Sequence, residues 1–179
     1  TRMAIALVTG ASRGIGRATA LQLAQEGYTV AVNYHHNINA ATEVVNTIVA
    51  SGGKATALRA DISDEAQVMA MFEAIDRMGE PLTALVNNAG ISFVGLLQDM
   101  SDAQWSEILN TNLSSVFYCC RSAISHMVSQ KSGKIINISS VWGVSGASCE
   151  VAYSATKGGI NAFTKALAKE LAPSNVQVN

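Results

Sequence analysis

Short apolar runs alternate along the chain with longer segments in which apolar residues recur at helical spacing. The short runs are typical of strands buried in a parallel sheet, and the longer segments are typical of amphipathic helices. The predicted strands are Met3–Thr9, Tyr28–Asn33, Lys54–Ala60, Leu82–Asn87, Gly133–Ser139 and Val176–Asn179. The predicted helices are Gly14–Gly27, Ala40–Ser51, Asp64–Met78, Ser101–Gln130 and Val151–Ala172.

Strand–helix units that follow one another with short connections predict an α/β protein with a three-layer, doubly wound parallel sheet, the Rossmann fold. No linker, repeat or low-complexity segment divides the sequence, so residues 1–179 are predicted to form a single domain. The chain ends at the start of the predicted sixth strand.

The composition excludes several classes of protein. The 12 Lys and Arg residues against 13 Asp and Glu give a formal net charge of −1, which argues against a nucleic-acid partner. Every apolar run is too short to cross a membrane. The three cysteines include no CxxC pair and the three histidines are scattered, so we expect a reduced, cytoplasmic protein without a metal site.

A glycine-rich turn, Thr9–Gly16, joins the first predicted strand to the first predicted helix. In this context the amide groups of a helix N-terminus bind the pyrophosphate of a dinucleotide, and glycine lets the backbone approach the phosphates. The spacing is GxxxGxG, and a glycine-rich turn alone is weak evidence because glycine also serves ordinary turns. The strand–turn–helix context favours the nucleotide site.

The end of the second strand indicates which dinucleotide binds. Sites for NAD place an acidic residue about 20 residues after the glycines, on the ribose hydroxyls. Here the segment Asn33–Asn37 is not acidic, and the turn contains Arg13, whose guanidinium can pair with a 2′-phosphate. His35 or His36 could assist, although a solvated loop histidine is the commoner explanation for each. The sequence therefore favours NADP over NAD.

Tyr153 and Lys157 lie four residues apart, on one face of the last predicted helix. A nearby ammonium stabilises the phenolate form of a tyrosine, which makes the pair a candidate acid/base group. The same spacing is common on ordinary amphipathic helices. Ser140 at the end of the fifth strand and Asn112 in the long helix strengthen the case, because the carboxyl ends of parallel strands share one crevice.

In combination these motifs resemble the short-chain dehydrogenase/reductase family over the whole chain, and within it the 3-oxoacyl-(acyl-carrier-protein) reductases. The resemblance implies a catalytic tetrad of Asn112, Ser140, Tyr153 and Lys157, in which Asn112 would locally interrupt its helix. It also implies that the cofactor is held by Thr9, Gly10, Ser12, Arg13, Gly14, Ile15, Gly16, Asn33, Asp61, Ile62, Asn88, Ala89, Gly90, Tyr153 and Lys157. Asp61 would contact the adenine, although Asp61 and Ser63 are also residue types that cap helices.

The activity implied by the resemblance is NADP(H)-dependent reduction of a ketone to a secondary alcohol. The substrate would be a small-molecule or acyl-thioester carbonyl compound, as in fatty acid biosynthesis, and an acyl carrier protein is a candidate partner. Lys131 and Lys134 could meet an acidic carrier, whereas Pro173–Asn175 lacks the arginine expected there. Two alternatives stay open: an NAD-dependent alcohol or sugar dehydrogenase, and a non-catalytic NADP-binding sensor or scaffold.

The last helix and the long helix are apolar around much of their circumference, which indicates burial on two sides. Together with the resemblance, this predicts a homo-oligomer, specifically a homotetramer. Members of the family also continue past the sixth strand with a substrate-binding segment. We expect such a segment to order only when cofactor binds, and little activity from 179 residues without it.

Overall fold

The computed structural model describes residues 4–179, so Met3, where the first predicted strand begins, lies outside the described residues. The described strands form one parallel six-stranded sheet in the order β3-β2-β1-β4-β5-β6. The strands are β1 Ile5–Val8, β2 Thr29–Tyr34, β3 Lys54–Arg59, β4 Leu82–Asn87, β5 Gly133–Asn137 and β6 Val176–Val178. This order confirms the predicted doubly wound sheet.

Helices cover both faces of the sheet. They are α1 Gly14–Gln25, α2 Ile38–Ala50, α3 Glu65–Asp76, α4 Asp102–Leu109, α5 Ser115–Gln130, α6 Trp142–Ser145 and α7 Val151–Leu171. Short 3₁₀ turns occupy Leu97–Asp99 and Ala172–Ser174. The predicted strands, and the predicted helices apart from the long one, end within two residues of the observed ends.

The predicted helix Ser101–Gln130 is wrong as one continuous α-helix. Ser101 precedes α4 and forms a capping box, in which its hydroxyl accepts from the Gln104 amide and the Gln104 side chain accepts from the Ser101 amide. A π-helical segment, Asn110–Ser114, then separates α4 from α5. The physical reason is a set of tertiary hydrogen bonds to the Asn112 side chain, described below, which helical periodicity does not reveal.

Two apolar layers hold the helices against the sheet. On one face Ile5 and Leu7 of β1 pack with α3, α5 and α7, and on the other Val8 packs with α1 and α2. Because both faces of β1 are covered, all four of its residues are buried, as the apolar run predicts. The layers fix the strand ends, and so they fix the crevice along the carboxyl edge of the sheet.

Within the described residues, no helix is both long enough and apolar enough to cross a membrane.

The alternation along β5 gives a test of the core. Ile135 is fully buried and Ile136, the next residue, is 42% exposed. We expect Ile135→Ala to lower the free energy of unfolding by about 3 kcal/mol, because it removes buried methyl groups and leaves a cavity. Ile136→Ala is the matched control, with an expected loss of about 1 kcal/mol or less. Urea denaturation measures both, and equal losses would contradict the assignment of the two faces.

Candidate active site

The glycine-rich turn connects the buried end of β1 to the first turn of α1. Gly10 and Gly14 adopt φ values of 59° and 55°, in the left-handed region that favours glycine. A Cβ on Gly16 would lie 2.3 Å from the Gly10 carbonyl oxygen and 2.5 Å from Nδ2 of Asn88. The turn is therefore so tight that a side chain at residue 16 would push the surrounding backbone apart.

Thr9 and Asn88 join this turn to the loop that follows β4. The Thr9 hydroxyl accepts hydrogen bonds from the amides of Asn88 at 3.0 Å and Ala89 at 3.1 Å. The Asn88 side chain donates to the carbonyl oxygens of Thr9 at 3.0 Å and Gly10 at 3.2 Å. The structure thus employs these two predicted cofactor residues to brace the turn.

Asn33, at the end of β2, braces the turn from the other side. Its side-chain oxygen accepts from the Gly10 amide at 3.1 Å, and its Nδ2 donates to the carbonyl oxygens of Leu58 and Ala60. The side chain is buried and hydrogen-bonded on both ends, so its polar atoms shape the site from behind.

A cavity of ≈ 530 Å³ opens over the turn. Its lining includes Gly10, Ser12, Arg13, Gly14, Ile15, Asn88, Ala89 and Gly90, together with Tyr34, His35, His36, Asn37 and Ala40. No side chain caps α1, and its first turn carries no acidic residue, so this helix N-terminus can receive an anion. Arg13 and Ile15 are exposed to the cavity side of the turn, as residues that contact a ligand must be.

A second cavity of ≈ 330 Å³ adjoins the first, and its lining includes Asn33, His35, His36, Asp61 and Ile62. One carboxylate oxygen of Asp61 accepts from the amide and the hydroxyl of Ser63, and the other lies 3.7 Å from Nε2 of His35. The α3 cap is Asp64, whose side chain accepts from the amides of Ala66 and Gln67. Asp61 therefore lines the cavity, and Asp64 caps α3.

Lys157 is the buried cation of the site. Its Nζ donates to the Ile138 carbonyl oxygen at 2.7 Å and lies 5.6 Å from the centroid of the Tyr153 ring. The residue is only 4% exposed, and this burial lowers the pKa of its ammonium below the ordinary value. The ammonium has three N–H groups, so the bond to Ile138 leaves two for other partners.

Hydrogen bonds of Asn112 and Thr156 join helix α7 to the loop after β4. The Asn112 side chain accepts from the Ile91 amide and donates to the Ile91 carbonyl, both at 2.8 Å. Its Nδ2 also lies 3.2 Å from the Thr156 hydroxyl, which donates to the Tyr153 carbonyl at 2.8 Å. These contacts explain why the helix changes to π geometry at Asn112, and they identify Thr156 as a site residue that the sequence analysis missed.

Ser140 lies between β5 and α6, and its hydroxyl oxygen accepts from the Trp142 amide at 3.2 Å. Helix α6 packs directly on α7, since a Cβ on Gly143 would lie 2.7 Å from the Lys157 carbonyl carbon. Asn161 closes the contact by donating to the Gly143 carbonyl. This contact of Gly143 was not predicted, since the sequence shows only a glycine three residues after Ser140.

Other predicted features lie away from this cluster. Burial raises the pKa of the Cys120 thiol to about 12 and that of Cys119 further, so neither thiol is a nucleophile near neutral pH. Lys131 and Lys134 lie at the amino end of β5, on the opposite edge of the sheet from Tyr153. The described residues contain no group of three or more His, Cys, Asp or Glu that could hold a metal ion.

Comparison with known proteins places this geometry among the oxidoreductases. The short chain dehydrogenase family model matches residues 4–179. The chain is 53% identical to the uncharacterized oxidoreductase YgfF of Escherichia coli K12, covering 99% of the chain and 74% of that protein. It is 47% identical to the 3-oxoacyl-(acyl-carrier-protein) reductase FabG of Staphylococcus aureus, covering 97% of the chain and 71% of that protein.

The fold is also similar to a solved structure, a metagenomic short-chain oxidoreductase in complex with NADP. The TM-score is 0.95 at 34% sequence identity, over 98% of this chain and 80% of that one.

The buried ammonium gives a prediction that concerns stability alone. Because the pKa of Lys157 is lowered below its ordinary value of 10.5, the unfolded chain holds more protons than the folded chain between the two pKa values. The free energy of unfolding should therefore rise with pH in that window, as the desolvation cost is relieved. Relative to Lys157→Met, the wild type should gain stability when the pH is raised from about 7 to about 10.

Lys165→Met is the matched control, because Lys165 is an exposed lysine on the same helix. Its difference from the wild type should stay constant over the same pH range. Urea denaturation of the three proteins without ligand measures the effect, and parallel pH profiles for wild type and Lys157→Met would contradict the burial of a charged ammonium.

Proposed function

Since the chain belongs to the short chain dehydrogenase family, we propose that it is an NADP-dependent oxidoreductase that reduces a ketone to a secondary alcohol by hydride transfer. The observation that carries the proposal is the position of the Lys157 ammonium, buried beside the Tyr153 ring at the carboxyl edge of the sheet. Burying an ammonium costs free energy, so a buried lysine beside a phenol ring in a crevice is a candidate functional group.

The residues present fit the cofactor. The glycine-rich turn and the uncapped N-terminus of α1 would hold the pyrophosphate, and Arg13 would pair with the 2′-phosphate. Asp61 and Ile62 line the cavity in which the adenine would lie. Thr9, Asn33 and Asn88 support the turn through the hydrogen bonds described above. The N-terminus of α1 also lacks any acidic side chain that would repel the phosphates.

Bound NADPH would supply the hydride for the carbonyl carbon. Tyr153 would donate its phenolic proton to the carbonyl oxygen, and Lys157 would stabilise the phenolate that remains. Ser140 would donate a hydrogen bond to the same oxygen, since its own oxygen already accepts from the Trp142 amide and its proton remains available. We propose Asn112 as the residue that positions the relay returning a proton to Tyr153 through Lys157.

Gly90 keeps the approach to this group open. A Cβ there would lie 3.3 Å from the Asn112 side-chain oxygen and 3.7 Å from Nζ of Lys157. Glycine therefore leaves space beside the ammonium that a ribose could occupy. This supports the assignment of Ala89 and Gly90 to the cofactor side of the crevice.

The finer proposal is a 3-oxoacyl-thioester substrate, as in 3-oxoacyl-(acyl-carrier-protein) reductases. It is supported by the 47% identity to FabG and by exposed apolar side chains that follow Ser140, just before and on helix α6. Val141, Trp142 and Val144 are 65%, 40% and 84% exposed, so this short segment offers apolar surface to a ligand. An acyl carrier protein partner, a place in fatty acid biosynthesis and cytoplasmic localisation belong to this same proposal.

A homotetramer is proposed for the same protein. Phe117 on α5 is 43% exposed, and Ala155, Ala162 and Ala166 form an exposed strip of small residues on α7. Such faces are typical of helix-on-helix contacts between subunits. Val116 and Cys120, two other apolar residues of α5, are buried within the chain.

The first experiment measures NADPH oxidation by nicotinamide absorbance, with acetoacetyl-coenzyme A as substrate and NADH in parallel. Turnover with NADPH well above that with NADH supports the proposal. A preference for NADH favours the NAD-dependent alcohol or sugar dehydrogenase. Cofactor binding without turnover of acetoacetyl-coenzyme A is the result expected of the non-catalytic sensor, and also of a chain that lacks the substrate-binding segment implied by the resemblance.

Tyr153→Phe tests the proton donor. We expect kcat to fall by at least about 100-fold, because the ring remains and only the transferable proton is lost. NADPH affinity should change by less than about threefold, since the phenol is one of many cofactor contacts. Tyr28→Phe, at the opposite edge of the sheet, is the matched control and should retain full kcat. Near-normal kcat in Tyr153→Phe would exclude this residue as the acid.

A further inference from the structure

Two adjacent imidazoles form the wall that the two cavities of the cofactor site share. His35 and His36 line both the cavity over the glycine-rich turn and the cavity that contains Asp61 and Ile62. Their ring centroids are 3.6 Å apart, with 32° between the ring planes. A dinucleotide with its pyrophosphate on the turn and its adenine beside Asp61 must place the adenosine ribose between the cavities, and therefore against these rings.

We propose, on the basis of the NADP-dependent function proposed above, that His35 and His36 form a proton-dependent selector that recognises the 2′-phosphate only when the pair carries a proton. NAD has a neutral hydroxyl at this position, so its binding should respond little to that proton. The preference for NADP over NAD then depends on pH.

The charges around the pair explain why a proton is needed. Asp61 lies 3.7 Å from Nε2 of His35, and Glu107 of α4 lines the same cavity. Both carboxylates repel a dianionic phosphate. Among the cations, Arg13 lines the cavity over the turn together with the pair, and Arg59 at the end of β3 donates its Nε–H to the His35 backbone carbonyl oxygen at 3.2 Å. Helix α2 contributes no charged side chain in its first turn.

One proton on the pair changes this balance. An imidazolium next to Asp61 neutralises the carboxylate and adds a hydrogen-bond donor toward the phosphate. Histidine is the side chain whose charge ordinarily changes near neutral pH, which makes the switch accessible under ordinary conditions.

The sign of the effect separates the histidines from the phosphate itself. The second ionisation of a phosphate monoester lies near pH 6, so above about pH 7 the ligand is already a dianion. Its own titration can only strengthen binding to Arg13 as the pH rises. A fall in NADPH preference above about pH 7 must therefore come from loss of a proton by the protein.

The test measures dissociation constants of NADPH and NADH by titration calorimetry at constant ionic strength, from about pH 7 to about pH 8.5. We expect the ratio of the NADH constant to the NADPH constant to fall by about threefold to tenfold. Calorimetry in two buffers of different ionisation enthalpy should also show uptake of about half a proton per NADPH at about pH 7, and almost none per NADH.

The double variant His35→Gln/His36→Gln should bind NADPH without proton uptake, and its preference should not fall with pH. His126→Gln is the matched control, because His126 forms the same type of pair with Asp76, at 3.6 Å, near the opposite edge of the sheet. This control should behave as the wild type does. Retention of the pH dependence in the double variant overturns the inference.

The outcomes distinguish this inference from the proposed function. If the wild type binds both cofactors with a constant ratio and no proton uptake, the selector is excluded and the NADP-dependent activity stands. If neither cofactor binds at any pH, the proposed function is overturned, and the selector with it.

Discussion

Where β1 and β4 end side by side, the Asn88 side chain donates hydrogen bonds to the carbonyl oxygens of Thr9 and Gly10. A Cβ on Gly16 would clash with the Gly10 carbonyl oxygen, so only glycine fits there. The Asn88 contact joins the glycine-rich turn to the loop that leads to Gly90. Because every other part of the site lies along the same edge, the spacing between turn and loop sets the width of the crevice. The two apolar layers keep the strand ends in register and so maintain the contact.

The side of the crevice that contains Lys157 is stabilised by hydrogen bonds to buried side chains. Lys157 is buried at an energetic cost, and the surrounding backbone compensates with one carbonyl, that of Ile138. Asn112 and Thr156 then link the loop after β4 to the turn of α7 that carries Tyr153. The π-helical segment is the geometric consequence of this link. Local irregularity at a site is a common result when tertiary hydrogen bonds compete with a helix.

The side of the crevice proposed for the cofactor carries charged and titratable side chains that face open cavities, whereas the Lys157 side is buried. Arg13, His35, His36 and Asp61 line two open cavities, where water screens their charges. Such groups contribute to discrimination between ligands more than to the stability of the fold. In the function proposed above, the two ends of the crevice would have separate tasks, reaction at the Lys157 end and recognition of the cofactor at the other.

The sequence by itself determined the elements, their order and therefore the doubly wound sheet, because periodicity and turn residues are local properties of the chain. Predicted and observed strand ends differ by two residues or less. It also determined which residues lie at the carboxyl edge, since the topology places every strand end there. The predicted bounds of β4, Leu82–Asn87, were correct because the apolar run that defines the strand is a local property of the sequence.

Only the tertiary structure decided how those residues are used. It formed the short helix α6 and brought Gly143 against the backbone of Lys157. It also assigned Thr9, Asn33 and Asn88 to bracing the turn, and paired His35 with Asp61. Each of these features depends on contacts between residues far apart in the chain, and such contacts leave no period or spacing in the sequence from which they could be predicted.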